Sequence, residues 1–340
     1  MRRQGLAAGT AVKYDHNIKE WATFRRRAAL PVFFIEQTDL QVAYELADYA
    51  VFLKLTRGIA ADTIRGKLAA VRWLHLVEVG RQLPDHAVTK QTMAVIRKQS
   101  PAVQHRPGVF LADIAAFYET AAAAGGTQLA IWRGILLAFH MLLRGGEYLG
   151  LDNGRVDPDK CILRGGVSFR SGGHEVPLAE WRSADHARVL LRASKTDQQK
   201  KGSVLIIGSC GGGQLCPVRA IAELLLAHPP GVTEFSPIMT VLRKGALSVV
   251  SKSQLVMGVK AMVAHQGRST TGVATHAMRV GGATTLAHAG ASERQIKLAG
   301  GWLSDSYLVY IRDNMADFRR VTADLSASSG LVMADEVVLR

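Results

Sequence analysis

The sequence predicts a mainly α-helical protein with one small antiparallel β-sheet, divided into two domains. Three observations predict it. The chain of 340 residues is longer than one typical domain and allows two, each with its own core. Apolar residues recur at three- and four-residue spacing through the first hundred positions, as in helices that bury one face. Near residue 160 that period gives way to short stretches bounded by glycine, and it returns after Pro217.

Taken in order, the elements are these. In 63–77, Ile64, Leu68, Val71 and Leu74 fall on one helical face while Arg65 and Arg72 turn elsewhere. Similar patterns predict helices over 14–29, 40–55 and 89–98. "SPAVQHRPG" (100–108) places two prolines and a glycine close together and reads as a linker. The expected organisation is a helical N-terminal domain over 1–100, a linker over 101–109, a second domain over 110–325 and a tail over 326–340. The second domain opens with helices near 110–123 and 127–143, the latter with Thr127 as N-cap and Gly145-Gly146 as its stop. "KCILRGGVSFR" (160–170) reads as a hairpin around Gly165-Gly166, and 187–208 as two strands joined by a polar, basic turn. Helical patterns follow over 217–227, 250–264, 275–288 and 304–325.

The totals narrow the function classes. Residues 1–106 carry 17 Lys/Arg against 9 Asp/Glu, and 107–340 carry 25 against 19, within a net charge of +14. A basic excess in both halves suggests a polyanion contacted by both, most simply nucleic acid; a solvated basic surface is the plainer reading. The three cysteines, Cys161, Cys210 and Cys216, form no CxxC pair, which fits a reducing compartment and argues against a zinc site or a disulfide framework. The N-terminal apolar stretch is short and broken, unlike a signal peptide. The most apolar run, "AIWRGILLAFHMLL" (130–143), is interrupted by Arg133 and falls short of a membrane span. The expectation is a soluble intracellular protein.

Four places carry chemistry-bearing residues. Arg144 ends an apolar helix in "LLRGGEYLGL" (142–151), and Lys195 sits at a hairpin tip in "SKTDQQKKG". His276 and Arg279 form an H-x-x-R pair opening a helix in "THAMRVGGATT" (275–285). Trp302, Tyr307 and Tyr310 lie in "AGGWLSDSYLVYIR" (299–312). Singly, each has an ordinary reading: a helix-dipole arginine, a solvated lysine, a chance H-x-x-R, aromatic core anchors. Together, two arginines, a lysine, a histidine and an indole N–H are donors suited to a phosphodiester whose oxygens gain charge in the transition state. His276 and Arg279, in the first turn of one helix, share a side on which the helix N-terminus also favours an anion. A tyrosine supplies a nucleophile. Its phenol, with a pKa of about 10, ionises more readily among cations and beside a histidine base.

At these residues the chain resembles the tyrosine recombinases of the phage-integrase class, to which Cre belongs. The family's order of Arg, Lys, His-x-x-Arg, His or Trp, then Tyr runs here from Arg144 to Tyr310. "RGGEYLGL" resembles the box around the first arginine, with Glu147 as its acidic residue. "SKTDQQKKG" followed by "LCPVRAIAELL" is similar to the hairpin lysine and the next helix, and "HAMRVGGATTLAHAGASERQIKLAGGWLSDSYLVYIR" to the second box. The likeness covers 110–320 well; the N-terminal helices resemble the core-binding domain in type and place.

The resemblance implies a clamp around double-stranded DNA, a 3′-phosphotyrosyl intermediate with a free 5′-hydroxyl, and site-specific recombination or integration as carried by mobile elements. No cofactor, ATP or metal is implied, and the family works as a tetramer on paired sites. It further implies that Arg144 and Arg279 hold the non-bridging oxygens, Lys195 acts as general acid, and His276 assists as base. Trp302 then donates its N–H or packs, and Glu147 supports from behind. The common spacing from His or Trp to the nucleophile is nine; here Trp302 to Tyr310 is eight and to Tyr307 five, similar to recombinases of some eukaryotic mobile elements. Tyr310 is the expected nucleophile and Tyr307 a packing residue. The compartment would be the nucleus in a eukaryote, and the cytoplasm or nucleoid in a bacterium or phage. The competing readings are type IB topoisomerase-like relaxation, a family that usually carries another basic residue in place of this His, and a DNA-binding protein that does not cut.

Overall fold

The computed structural model describes residues 6, 8–100, 106–193, 197 and 201–312. The chain divides into two compact units, Met1–Gln104 and His105–Arg340. No helix among the described residues is long and apolar enough to cross a membrane.

The first unit holds α1 (Ala8–Arg27), α2 (Asp39–Leu55), α3 (Ala61–Glu78) and α4 (Ala87–Lys98). α2 begins at a reciprocal cap. The Gln41 N–H donates to Thr38 Oγ1 at 3.3 Å, and the Thr38 N–H donates to Gln41 Oε1 at 2.8 Å. Apolar faces of α1, α2 and α3 close over Trp21, Phe34, Leu46, Tyr49, Leu53, Ile64 and Leu68. Two cations enter this core with partners: Arg25 pairs with Glu45, and Lys67 with Glu20. His75 is fully buried; its Nδ1 lies 2.8 Å from the Val71 carbonyl, and its Nε2 accepts the Phe34 N–H at 3.1 Å. Both bonds at once require the neutral ring, and burial lowers its pKa in the same sense, with Arg25 and Arg81 adding to it.

The second unit is built around α7 (Gly126–His140), apolar on nearly every side. Ahead of it run α5 (Leu111–Ala116) and α6 (Tyr118–Ala124); after it comes the single turn α8 (Gly145–Tyr148). A four-stranded antiparallel sheet follows in the order β2-β1-β3-β4: β1 (Val167–Ser171), β2 (His174–Val176), β3 (His186–Leu191) and β4 (Ser203–Gly208). α9 (Pro217–Leu226), the hairpin β5 (Thr240–Arg243) with β6 (Ala246–Val249), α10 (Lys252–His265), α11 (Ala277–His288) and α12 (Glu293–Gly300) complete it. α9, α10 and α11 all pack on α7. α11 comes close enough to do so because Gly282 has no side chain, and Gly281 lets the Val109 backbone ahead of α5 approach the same helix. A Cβ at Gly281 would lie 1.7 Å from the Val109 carbonyl oxygen, and one at Gly282 2.4 Å from that of Phe139.

Five local expectations change. The helix over 110–123 is two helices, broken at Phe117. α7 starts at Gly126 behind Gly125, whose φ is +60°, and Thr127 does not cap it. It ends at His140 because Leu142 takes a φ of +49°, and Gly145-Gly146 begin α8 instead of closing α7. Gly165-Gly166 lie in a 3₁₀ turn, while the β1–β2 hairpin turns at Gly172-Gly173, with φ of +53° and +86°. The helix expected over 304–325 is a 3₁₀ helix at its start, Asp305–Tyr310, with Ile311 extended, and its remainder over 313–325 lies outside the described residues. β5, β6 and α12 were not foreseen.

Candidate active site

The reversal after α7 places the first arginine. Leu142 turns the chain, and Arg144 occupies the position before α8. Glu147, three residues on and 5% exposed, fixes it at two points. Its Oε2 accepts the Arg144 N–H at 2.7 Å, and its Oε1 accepts the Arg144 Nη1 at 3.0 Å. The Arg144 side chain is 20% exposed, so the pair presents an oriented guanidinium at the surface.

Arg279, in the first turn of α11, is buried beside it. Its Nη1 donates to the Leu142 carbonyl and its Nη2 to the Gly300 carbonyl at 2.6 Å. The guanidinium carbon stands 4.0 Å from the Trp302 ring centre and 5.5 Å from that of Tyr310. Burial pushes the Arg279 pKa down to about 10, the Arg144 charge adds to this, and Glu147 and Tyr310 oppose it. The group still carries its charge at neutral pH. Trp302 reaches this position because Gly300 has no side chain: a Cβ there would lie 1.8 Å from the indole ring. α12, which delivers Gly300, starts at a Ser292–Gln295 capping box and ends on Gly301 in the left-handed region.

Tyr310 closes the group. Its ring centre is 5.3 Å from Trp302 and 6.2 Å from His276, the residue that precedes α11. Thr284 Oγ1 donates to the Tyr310 carbonyl at 3.1 Å and accepts the Arg312 N–H at 3.2 Å, while His288 Nε2 lies 2.9 Å from the Arg312 carbonyl. α11 thus carries Arg279 in its first turn, directly after His276, and holds the tyrosine segment further along through Thr284 and His288. Tyr307 is 7% exposed, packs 6.3 Å from Trp302, and lies under Lys297, whose Nζ is 5.5 Å from the ring centre. Lys297 in turn pairs with Asp305 at 2.8 Å and with Glu293.

The structure therefore brings together Arg144, Glu147, His276, Arg279, Trp302 and Tyr310. Lys195 lies outside the described residues, in the β3–β4 connection whose last pair is Leu191 with Ser203. Sequence reasoning missed Leu142, Thr284, His288 and Gly300. Two of these, Leu142 and Gly300, act through a backbone carbonyl or through a missing side chain. Thr284 had a faint signal, five residues beyond Arg279 in the same glycine-rich helix.

Solved structures with this arrangement of elements exist. The Tn1549 transposon integrase in complex with circular intermediate DNA superposes with a TM-score of 0.56 at 13% identity, covering 94% of this chain and 95% of its own. A lambda integrase dimer bound to a COC′ core site gives 0.52 at 16% identity, covering 92% and 91%. The XerH site-specific recombinase in a post-cleavage complex on a palindromic difH substrate gives 0.53 at 14%, covering 89% and 75%. The chain has the tyrosine-recombinase fold. No protein-family model matches the sequence, and no curated protein is detectably similar to it. Within the tyrosine-recombinase fold, both units of the chain are spanned by the match, since it covers more than nine-tenths of the residues.

Proposed function

We propose that this protein is a site-specific DNA recombinase or integrase that cuts and rejoins duplex DNA through Tyr310. The observation that carries the reading is the Tyr310 ring, set among a histidine, an indole and a buried arginine. In the reaction, the Tyr310 oxygen attacks the scissile phosphorus, the bond to the 5′-oxygen breaks, and a 3′-phosphotyrosyl link forms. His276 takes up the phenolic proton, and Lys195 gives one to the departing 5′-oxygen. Arg144 and Arg279 hold the non-bridging oxygens, with Glu147 fixing Arg144 and Trp302 stacking on Arg279. The 5′-hydroxyl of a partner strand reverses the steps, so the phosphodiester energy is kept in the protein–DNA bond.

Two details of the site bear on this. Two of the five Arg279 donors are taken by carbonyls, and its buried Nε has no protein partner among the described residues, which suits an incoming anion. At 1% exposure Arg279 is covered, with the Trp302 and Tyr310 rings against its guanidinium, so contact with phosphate requires neighbouring groups to give way as DNA binds. The N-terminal unit would supply the second arm of a clamp on the duplex, and copies of the chain would assemble as a tetramer on paired sites. The protein would act inside the cell, where its DNA lies.

Nicked duplexes of randomised sequence, incubated with the protein in EDTA, test the reading. Adducts that survive SDS should form on one family of sequences, which identifies the site. The absence of adducts contradicts strand cleavage, and adducts on all sequences alike would favour topoisomerase-like relaxation.

A further inference from the structure

A second pair of reactive groups lies away from the site, on the loop between β4 and α9. The loop reads Cys210-Gly-Gly-Gly-Gln-Leu-Cys216, with three glycines among its five intervening residues. It folds back so that the Cys210 N–H donates to Cys216 Sγ at 3.4 Å, and the Ser209 hydroxyl stands 3.8 Å from the same sulfur. The two ends of the loop are anchored. The Ser209 N–H donates to the Asp185 carbonyl at 2.7 Å, and the Cys216 N–H to the Gly213 carbonyl at 2.9 Å. Gly211 and Gly212, at φ of +79° and +71°, make the reversal that brings the cysteines together. Cys210 is exposed; Cys216, at the N-cap of α9, is 1% exposed.

We propose that Cys210 and Cys216 are a modification site, a thiol pair that low-molecular-weight disulfides convert to an intrachain disulfide. Cys210, the accessible partner, attacks one sulfur of oxidised glutathione. A Cys210–glutathione bond forms, the glutathione disulfide breaks, and one glutathione leaves as thiolate and takes up a proton. Cys216 then attacks the Cys210 sulfur, the Cys210–Cys216 bond forms, and the second glutathione leaves in the same way. Two protein thiols lose two electrons and two protons, and one glutathione disulfide becomes two glutathiones. The surroundings of the two sulfurs divide these roles. Burial opposes ionisation of Cys216, but hydrogen bonds from the backbone of Cys210 and Arg219, with the Ser209 hydroxyl and the Cys210 thiol, outweigh it and hold the thiol at about 7. Burial, and then Cys216 itself, push Cys210 the other way. The first step is therefore slow and the second fast. The bond would tie the exit of β4, the strand that follows the Lys195 connection, to the first turn of α9. Cys161 is a built-in control: it is 2% exposed, and burial pushes its thiol up to about 12.

The test treats the full chain with oxidised glutathione, alkylates the remaining thiols and maps the peptides by mass. Of three thiols, the wild type should lose two and keep Cys161, with a peptide joining Cys210 to Cys216 that dithiothreitol separates. Cys216→Ser should stop at the Cys210–glutathione adduct. Cys210→Ser, changed at an exposed position and expected to fold, should keep Cys216 alkylatable after denaturation and unmodified. The proposal is overturned if the wild type retains the adduct as long as Cys216→Ser does. It is equally overturned if all three thiols survive, if the disulfide joins two chains, or if Cys216 reacts with glutathione as fast in Cys210→Ser as thiols are lost in the wild type.

Discussion

Arg144 and Glu147 show how one side chain prepares another. Glu147 accepts from both the backbone and the guanidinium of Arg144, so its removal frees the arginine while leaving the charge in place. Arg144→Ala deletes a donor to the developing charge and should slow DNA cleavage by about 10²–10³. Glu147→Gln keeps the shape and an acceptor oxygen but loses the charge that strengthens both bonds. Its cleavage rate should fall less than that of Arg144→Ala, with DNA affinity unchanged. Single-turnover rates of adduct formation measure both, and a Glu147→Gln enzyme as slow as Arg144→Ala would contradict a purely orienting carboxylate. The clustering of Arg144, Glu147, His276, Arg279, Trp302 and Tyr310 was legible because each belongs to a short contiguous motif. The bonds of Arg279 to the Leu142 and Gly300 carbonyls were not, because backbone acceptors carry no residue identity and lie 137 and 21 positions away.

Elements were legible where periodicity was long and regular, as in α2, α3, α9 and α10. They were lost where two local signals were equivalent. Gly165-Gly166 and Gly172-Gly173 are the same dipeptide, and only the pairing of β1 with both β2 and β3 decides which one turns the hairpin. The apolar run of α7 continues through Leu142 and Leu143 although the helix stops at His140, because Leu143 joins the main core while Leu142 packs with Trp302 and Tyr307. In the helical N-terminal unit, His75 makes a pH prediction. Its folded pKa is lowered, so the unfolded chain binds the proton more readily and stability rises with pH through this group. The contribution is complete above the unfolded value of about 6.5 and is lost as pH falls from there toward the folded pKa. His140 and His228 are shifted the same way by burial and add to the slope. His75→Gln, which can keep one donor and one acceptor, should flatten the dependence of thermal unfolding on pH between about 7 and 5. An unchanged slope would mean that His75 is not protonated differently in the two states.

The whole chain unites a basic N-terminal half with a basic half that carries the site. If both touch DNA backbone, log K for duplex binding falls linearly with log salt concentration, with a slope set by the phosphates neutralised. A fragment of residues 109–340 should then show a shallower slope than the full chain, and equal slopes would remove the N-terminal unit from the interface. The central claim is that the molecule joins itself to DNA through Tyr310, and trapping that bond tests it most directly. A duplex nicked beside the scissile phosphate loses its short 5′-hydroxyl strand after attack, so religation fails and the covalent product accumulates. The wild type should give a band that resists SDS, forms in EDTA and disappears with protease, and its DNA-bearing peptide should contain Tyr310. Tyr310→Phe should bind DNA and give no band, while Tyr307→Phe, which keeps the buried ring against Trp302, should still give one. DNA mapped to Tyr307, or an undiminished band from Tyr310→Phe, would contradict the account.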